Sequence, residues 1–273
     1  MKEILKEKEN VDKTAHPNTK DSLKSDLKRL GLNRGDIIIL HSSLSKIGWT
    51  IGGPVAIIVA LMEILTSNGT IIMPTFTSDN SEPSKWENPP VPRDWWPLIR
   101  KFMPAYNPDY TPARNVGIIP EVFRTFPNVL RSDHPISSFA AWGYHAKEIV
   151  KDHSLEADLG ERSPLSKIYD LNGKILLLGV GHLNNTSLHL AEYRSNYKEK
   201  EFRDTGSAIY VNNKRKWIIW KELNHNSDDF NKLGKDYEIK IGYIPKKVGL
   251  ATSRLFNQRD LIDFAVNWMK KNR

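Results

Sequence analysis

The stretch Asp36-Ile-Ile-Ile-Leu-His-Ser-Ser-Leu-Ser45 joins a short apolar run to a polar exit. The run 36–40 is rich in β-branched residues and is bounded by Gly35 and His41. This pattern predicts a strand that is buried on both faces.

A helix and a second strand follow this run. Gly52-Gly53-Pro54 precedes the apolar stretch 55–65, and the proline falls in the first helical turn, where its missing N–H is not needed. Residues 70–76, Thr-Ile-Ile-Met-Pro-Thr-Phe, are typical of another strand. Strand, helix and strand over 36–76 predict a right-handed crossover between parallel strands, which places the chain in the α/β class.

Upstream of this unit, an amphipathic helix is predicted from Leu23, Leu27 and Leu30, with Asp21 as its N-cap and Gly31 after its end. Residues 1–18 carry four lysines and four acidic residues without an apolar period. We therefore expect a flexible charged arm over 1–18 and one domain over 19–273.

Downstream, the sequence predicts three regular elements and one irregular segment. Residues 174–179 are typical of a strand that runs into a glycine-rich turn, with a helix over 187–197. The runs 207–211 and 216–220 predict a hairpin, and 255–269 predicts a closing helix. Half of the 16 prolines and three of the eight tryptophans fall in 79–113, which favours a stiff, aromatic-lined flap.

Composition excludes several classes of protein. The 273 residues contain no cysteine, which excludes disulfide scaffolds, Cys-ligated zinc and thiolate acyl intermediates. No apolar run is long enough to span a membrane, and the N-terminal residues lack the apolar stretch of a signal peptide, so we expect a cytoplasmic protein without a membrane partner. The net charge of +8 favours an anionic partner.

His189 and Glu192 are the leading candidates for catalysis. They lie three residues apart on a predicted helix, so their side chains share one face. A carboxylate beside an imidazole raises its basicity and fixes its tautomer, as a general base requires. The alternative is a surface His–Glu pair. His182 with this pair does not match a zinc-enzyme spacing, and no metal site is predicted.

Two further motifs each admit two interpretations. His41-Ser-Ser-Leu-Ser45 offers small hydroxyls and approachable backbone N–H groups as an anion cradle, or else is a serine-rich loop before the helix at Pro54. Lys214-Arg-Lys216 with Trp217 and Trp220 combines charge with stacking faces, which is the basis for a nucleic-acid-binding alternative. A hairpin with a charged tip and core tryptophans is the more ordinary interpretation, so no nucleic-acid partner is predicted.

Taken together, the motifs resemble those of the aminoglycoside 3-N-acetyltransferase family, also called the antibiotic N-acetyltransferases. The resemblance runs from about residue 20 to the C-terminus. In order, its elements are His41-Ser-Ser-Leu-Ser45 with Gly52-Gly53, Gly69–Thr75, Gly117–Glu121 with Phe123-Arg124, Arg131–Pro135 with Ser138–Ala141, Gly160 with Ser163-Pro-Leu165, Leu178–Gly181, Thr186 with Leu188–Glu192, and Val248–Ala251.

The resemblance implies a single-domain α/β/α sandwich around a mixed sheet, an acetyl-CoA-dependent enzyme and a homodimer. It implies direct acetyl transfer, with His189 as the base that deprotonates a substrate ammonium and Glu192 as the carboxylate beside it. The segments 41–45 and 131–138 are implied to line the coenzyme A channel. The expected coenzyme contacts are His41, Ser42, Ser43, Leu44, Ser45, Thr75, Arg114, Ser132, His134 and Ser137, with Thr75 near the thioester.

The expected acceptor contacts depend on charge. Aminoglycosides are polycations, so their pocket needs carboxylates, and we name Asp79, Asp228 and Asp229 as the expected acceptor contacts, with Glu121 and Glu238 as further candidates. Solvated surface acids are an equally good interpretation. Because a basic chain repels a polycation at long range, an aminosugar or a nucleotide-like amine is the alternative acceptor.

Overall fold

The computed structural model describes the backbone of residues 2–273 and the side chains of residues 7–273. Within that part, the strands are β1 (Ile37–Ser42), β2 (Thr70–Pro74), β3 (Leu130–Arg131), β4 (Phe139–Gly143), β5 (Lys174–Leu178), β6 (Phe202–Val211), β7 (Lys214–Leu223), β8 (Lys246–Val248) and β9 (Ala251–Asn257). The helices are α1 (Lys2–Lys13), α2 (Lys20–Leu30), α3 (Leu44–Ile47), α4 (Gly53–Leu65), α5 (Trp96–Phe102), α6 (Ile118–Phe123), α7 (Ala146–Val150), α8 (Pro164–Asp170), α9 (Leu188–Arg194), α10 (Phe230–Lys240) and α11 (Gln258–Asn272).

Seven strands form one mixed sheet in the order β3-β4-β2-β1-β5-β9-β8. The central strand β1 is parallel to β2 and to β5, with Ile38 opposite Ile71 on one side and Lys174 on the other. The outer strands β4 and β9 run antiparallel to their neighbours. The predicted strand-helix-strand unit and the mixed sheet are both confirmed.

Helices cover both faces of this sheet. Along β1, Ile38 and Leu40 face a core formed with α2, α4 and α6, whereas Ile39 faces a second core formed with α7 to α11. The same alternation occurs along β5. Because β1, β2 and β5 are buried on both faces, they read as continuous apolar runs in the sequence. The architecture is the expected α/β/α sandwich.

The predicted hairpin is also confirmed, as a separate two-stranded sheet of β6 and β7. Asn212 and Asn213 both have positive φ angles of 51° and 59°, which a tight two-residue turn between antiparallel strands requires. Strands β6 and β7 each extend beyond the predicted runs, because the pairing continues to Phe202 and Leu223.

Several predicted boundaries are wrong. Thr19, not Asp21, caps α2, since its side chain accepts the N–H of Ser22 at 3.0 Å. The last helix begins at Gln258 rather than Leu255, because Asn257 caps it and the preceding residues pair with β5. The helix predicted over 187–197 spans only Leu188–Arg194. The 79–113 segment contains α5 and two 3-10 turns, so it is more regular than expected.

The N-terminal residues differ from the predicted arm where the structure describes them. A helix, α1, spans Lys2–Lys13, and Asn18 donates its side-chain amide to the carbonyls of Ile47 and Trp49 at 3.0 and 3.2 Å. Residues 14–18 are therefore anchored to the domain. Met1 and the side chains of 2–6 lie outside the described part of the chain, and a flexible arm upstream of residue 14 stays a prediction. Among the helices described, none has the length and apolarity needed to cross a membrane.

Gly234 fixes how α10 packs against the loop that follows β5. A Cβ at this position would overlap the imidazole ring of His182, whose Nε2 donates to Glu238 Oε1 at 2.8 Å and whose ring stacks on Phe256. The absence of a side chain at Gly234 therefore lets α10 hold the 179–186 loop against the sheet.

We expect Gly234→Ala to lower the free energy of unfolding by about 1–3 kcal/mol, because the ring of His182 is packed and cannot move aside. Urea unfolding measures this loss. In a His182→Ala background the same substitution should become neutral or stabilising by up to about 1 kcal/mol, since alanine favours a helix interior. Equal losses in both backgrounds would contradict this account of the packing.

Candidate active site

The functional site lies where β1, β2 and β5 end. Since the three strands are parallel, their carboxyl ends meet at one edge of the sheet, which is where α/β folds bind ligands. The segments that follow these strands are 41–45, 74–76 and 179–186.

A long groove opens at this edge, with a volume of about 1070 Å³. The first turn of α4 forms part of its wall. Gly52 caps this helix with a φ of +81° and supplies no side chain, so the first N–H groups of α4 lack a side-chain acceptor. The groove is lined mainly by Ser42, Ser43, Leu44, Ser45, Gly48, Trp49, Thr50, Gly53, Pro54, the segment 115–119, and Gly179, Val180, Gly181 and Asn184.

The groove continues into a smaller inner pocket of about 240 Å³. Ser42, Asn115 and Val180 line both cavities. His41 and His189 line only the inner pocket. A ligand that fills the groove can therefore extend one end between these two imidazoles.

His189 lies on α9 with its Nδ1 hydrogen-bonded to the Glu192 carboxylate. This bond leaves Nε2 as the free nitrogen of the imidazole that lines the inner pocket. Burial lowers the pKa of His189, and the bond to Glu192 opposes that effect without cancelling it. At neutral pH the imidazole is therefore uncharged and able to accept a proton.

Glu192 is completely buried, and it accepts hydrogen bonds from other groups besides His189. Arg273 donates from Nη1 to its Oε1 at 2.5 Å, and the N–H of Asn226 donates to the same oxygen at 3.1 Å. Burial alone would raise the pKa of Glu192, but the hydrogen bonds from His189 and Arg273, with the nearby imidazole of His225, hold it well below its usual value. The carboxylate is therefore ionised and fixed in position.

A second imidazole and a second carboxylate lie behind this pair. His225 Nε2 is 3.1 and 3.2 Å from the two carboxylate oxygens of Asp158, and its ring centroid is 4.7 Å from that of His189. Asp158, His225 and Arg273 were missed in the sequence analysis. Each lies more than 30 residues from Glu192 or His189, so no local spacing reveals them.

His41 lies near the end of β1 and lines the inner pocket. It is buried, and burial, with His189 close by, lowers its pKa to about 3, so its imidazole is neutral. Neither His41 Nε2 nor Ser42 Oγ has a hydrogen-bond partner among the described residues. Buried polar atoms rarely stay unpaired, and these two lie beside the inner pocket, as expected of groups that a ligand satisfies.

Three of the expected coenzyme contacts do not reach the groove. His134 is fully buried, and its Nδ1 accepts the N–H of Ser137 at 2.8 Å. Ser137 donates to Asp158 at 2.8 Å, and Ser132 contacts His153 Nδ1 at 2.9 Å. Ser132, His134 and Ser137 are not among the residues that line the groove or the inner pocket, because their polar atoms are committed to the network behind Asp158. Their contact with the coenzyme stays a prediction.

Thr75 and Arg114 also differ from expectation. Thr75 is fully buried between Pro74 and Phe76, which line the inner pocket, and its hydroxyl contacts Arg131 Nε at 3.1 Å. Arg114 forms an ion pair with Asp79 at 2.8 Å. Neither side chain lines the groove or the inner pocket, although their chain neighbours do.

The acidic residues predicted for the acceptor are not brought together. Asp229 is paired with Arg273 at 2.5 Å, Glu238 with Arg254 at 2.5 Å and Glu121 with Arg124 at 2.5 Å. Asp228 is exposed, and Asp79 lies at the rim of a separate apolar groove beside α5. None of them lines the inner pocket.

His189, Glu192 and His225 lie close enough together to be considered as ligands of one metal ion. One ligand-type atom of each lies within 4.8 Å of the others. However, Glu192 already accepts from Arg273, and His225 carries a proton, since the carboxylates of Asp158 and Glu192 outweigh its burial and raise its pKa to about 10. A cation would have to displace two positive charges, so the cluster does not fit a metal ion.

The hairpin does not offer the stacking faces that nucleic-acid binding requires. Trp220 is buried against His134, with ring centroids 6.0 Å apart, and Trp217 is partly buried against Gly206. Arg215 Nε donates to the carbonyl of Met103 at 3.0 Å. Both tryptophans serve the packing of the hairpin.

Comparison with known proteins agrees with this geometry. The family described as "Aminoglycoside 3-N-acetyltransferase" matches residues 39–270. The chain is 46% identical to the SPbeta prophage-derived aminoglycoside N(3')-acetyltransferase-like protein YokD of Bacillus subtilis, over 96% of each chain, and its fold matches the YokD crystal structure over 97% of this chain and 98% of that one, with a TM-score of 0.93.

Two further relatives bear named activities or ligands. Aminoglycoside N(3)-acetyltransferase IX of Micromonospora chalcea is 32% identical over 93% of this chain and 94% of its own. The structure described as AAC-IIIb binary with CoASH is 29% identical, with a TM-score of 0.84 over 94% of this chain and 97% of that one. The chain therefore belongs to the aminoglycoside 3-N-acetyltransferase family of acyltransferases, which use acetyl-CoA as co-substrate.

Proposed function

We propose that this protein transfers acetyl from acetyl-CoA directly to a primary amine, with His189 as the general base and the 3-amino group of an aminoglycoside as the first acceptor to test. One observation supports the proposal most directly. His189, held by Glu192, lines an inner pocket that is continuous with a groove large enough for a coenzyme. A cytoplasmic location and a homodimer stay predictions.

The groove has the features that a coenzyme needs. The hydroxyls of Ser42, Ser43 and Ser45 supply donors for anionic groups. The unpaired His41 Nε2 and Ser42 Oγ supply polar contacts at the inner end. Acetyl-CoA would bring the acetyl group to this end as an activated thioester.

The chemistry at the inner end depends on the protonation state of His189. A neutral imidazole, with Nδ1 held by Glu192, accepts a proton at Nε2 from the substrate ammonium. The free amine then forms a bond to the acetyl carbon as the carbon–sulfur bond breaks. The departing thiolate takes up the proton that the new amide nitrogen loses, so the coenzyme leaves as a thiol, and His189 later gives its proton to solvent. Glu192 stabilises the imidazolium that results.

A second acceptor class is favoured by one observation. Of the acidic residues named for a polycation, Asp79, Glu121, Asp229 and Glu238 are already paired with arginines. An acceptor with one amine, such as an aminosugar, needs fewer free carboxylates than an aminoglycoside does. Acetylation of such an amine would keep the fold, the coenzyme and the base of the first proposal.

Release of coenzyme A thiol tests the proposal. Acetyl-CoA is mixed with each of a panel of aminoglycosides and aminosugars, and the thiol is detected with a thiol-reactive dye. The protein contributes no background, because it contains no cysteine. Turnover with an aminoglycoside supports the first acceptor class, turnover with aminosugars alone supports the second, and no turnover with either contradicts the proposal.

His189→Gln should lower kcat by roughly 10²–10⁴-fold with little change in KM for acetyl-CoA, because the amide cannot accept the proton. His145→Gln is a matched control. His145 also bonds a glutamate three residues on, Glu148, at 2.8 Å, but it lies on the surface at α7. We expect that variant to keep its activity. A kcat near normal in His189→Gln would remove His189 from the role of base.

The pH profile of kcat/KM gives a further prediction. Since the pKa of His189 is below its usual value of about 6.5, the acid limb should have its midpoint below that pH. Glu192→Gln removes a group that raises the pKa of His189, so this variant should move the limb to lower pH and lower the plateau. A limb that stays in place or moves to higher pH would contradict the assigned role of Glu192.

A further inference from the structure

Asp158 is a buried carboxylate that the acetyl-transfer steps above do not use. It is 1% exposed, and it accepts hydrogen bonds at 2.8 Å from Ser137 Oγ and at 2.8 Å from the Tyr193 hydroxyl. A carboxylate buried in this way must be matched by a positive charge. The group that supplies the charge is His225, whose Nε2 lies 3.1 and 3.2 Å from its two oxygens.

The other side of the His225 ring faces the catalytic pair. Its Nδ1 lies 3.8 Å from Glu192 Oε2, which is too far for a hydrogen bond but close enough for a strong charge interaction. The rings of His225 and His189 meet edge to face at 60°. The His225 imidazolium is therefore held by Asp158 on one side and directed at both members of the pair on the other.

Charged groups surround a neutral imidazole in this cluster. Glu192 and Asp158 are negative, His225 and Arg273 are positive, and His189 is neutral. Arg273 also pairs with Asp229 at 2.5 Å. Burial is the main reason for the low pKa of His189, and the charge of His225 lowers it further. The charged and titratable groups that face His225 are Glu192, His189 and Tyr193 on α9, Asp158, His134, Glu222 on β7, and Arg273.

We propose that His225, held as an imidazolium by Asp158, is a positioning residue for the His189 base: it fixes the Glu192 carboxylate and places a positive charge beside the imidazole that accepts the proton. This inference rests on the proposed function. Its consequence is that His189 releases its proton readily and is ready for the next ammonium at and below neutral pH.

Histidine titration by NMR on the ¹⁵N-labelled full chain tests the proposal without any substrate. In the unmodified protein, His225 should remain protonated to about pH 9, while His189 should be neutral at about pH 7. The two signals are assigned by comparison with His189→Gln and His225→Gln. A His225 that titrates near its ordinary value of about 6.5 would overturn the proposal.

His225→Gln removes the charge and keeps a polar side chain. We expect the pKa of His189 to rise by about one pH unit, and the acid limb of kcat/KM to move to higher pH by a similar amount, with KM for acetyl-CoA unchanged. Asp158→Asn should shift both in the same direction but by less. His225 loses the partner that keeps it charged, whereas loss of the Asp158 charge, which raises the pKa of His189, partly offsets that effect. The acid limb of kcat/KM therefore moves to higher pH in His225→Gln and Asp158→Asn, whereas it moves to lower pH in Glu192→Gln.

Tyr193→Phe is the matched control. It removes a hydrogen bond to Asp158 without altering the charge of the cluster, so the titration of His189 and the acid limb should stay in place. A shift in Tyr193→Phe equal to that in His225→Gln would mean that any disturbance of Asp158 has this effect, and the proposal would fail.

The two proposals fail in different ways. If the titrations are as expected but no amine is acetylated, the proposed function is wrong and the charge arrangement stands. If amines are acetylated and His225→Gln leaves both the titration and the limb unchanged, the positioning role of His225 is wrong and the proposed function stands.

Discussion

The buried carboxylate of Glu192 is the constraint on which the site depends. With no exposure to solvent, this charge is stable only if every partner is in place, because an unpaired buried charge costs several kcal/mol. Its partners come from distant parts of the chain: His189 on the same helix, the Asn226 N–H after β7, and Arg273 after α11. Satisfying one carboxylate therefore ties three segments together and orients the imidazole on the pocket.

The sheet explains why these segments meet at the groove. Three parallel strands end at one edge, so the loops after them converge, and the two helical layers hold that edge rigid. Gly234 lets α10 pack closely on the 179–186 loop, which contributes to the walls of both the groove and the inner pocket. The apolar layers thus stabilise the fold, and the segments that follow the strands carry the side chains that line the groove and the inner pocket.

Local patterns were predictable from the sequence, and long-range contacts were not. The strand-helix-strand unit and the His189–Glu192 pair were found because each is set by the spacing of neighbouring residues. Asp158 and Arg273 lie 34 and 81 positions from Glu192, and only the fold brings them near it. The burial of Ser132, His134 and Ser137 was not predictable either, since a polar motif does not indicate whether it faces a groove or a buried network.

We propose that acetyl transfer takes place in the inner pocket, between His41 and His189. A crystal structure of the His189→Gln variant with acetyl-CoA tests it most directly, because the slow variant preserves the thioester. We expect the coenzyme to occupy the long groove and the thioester to lie in the inner pocket, within hydrogen-bonding reach of residue 189. A coenzyme bound elsewhere, or a thioester that points away from this pocket, would contradict it.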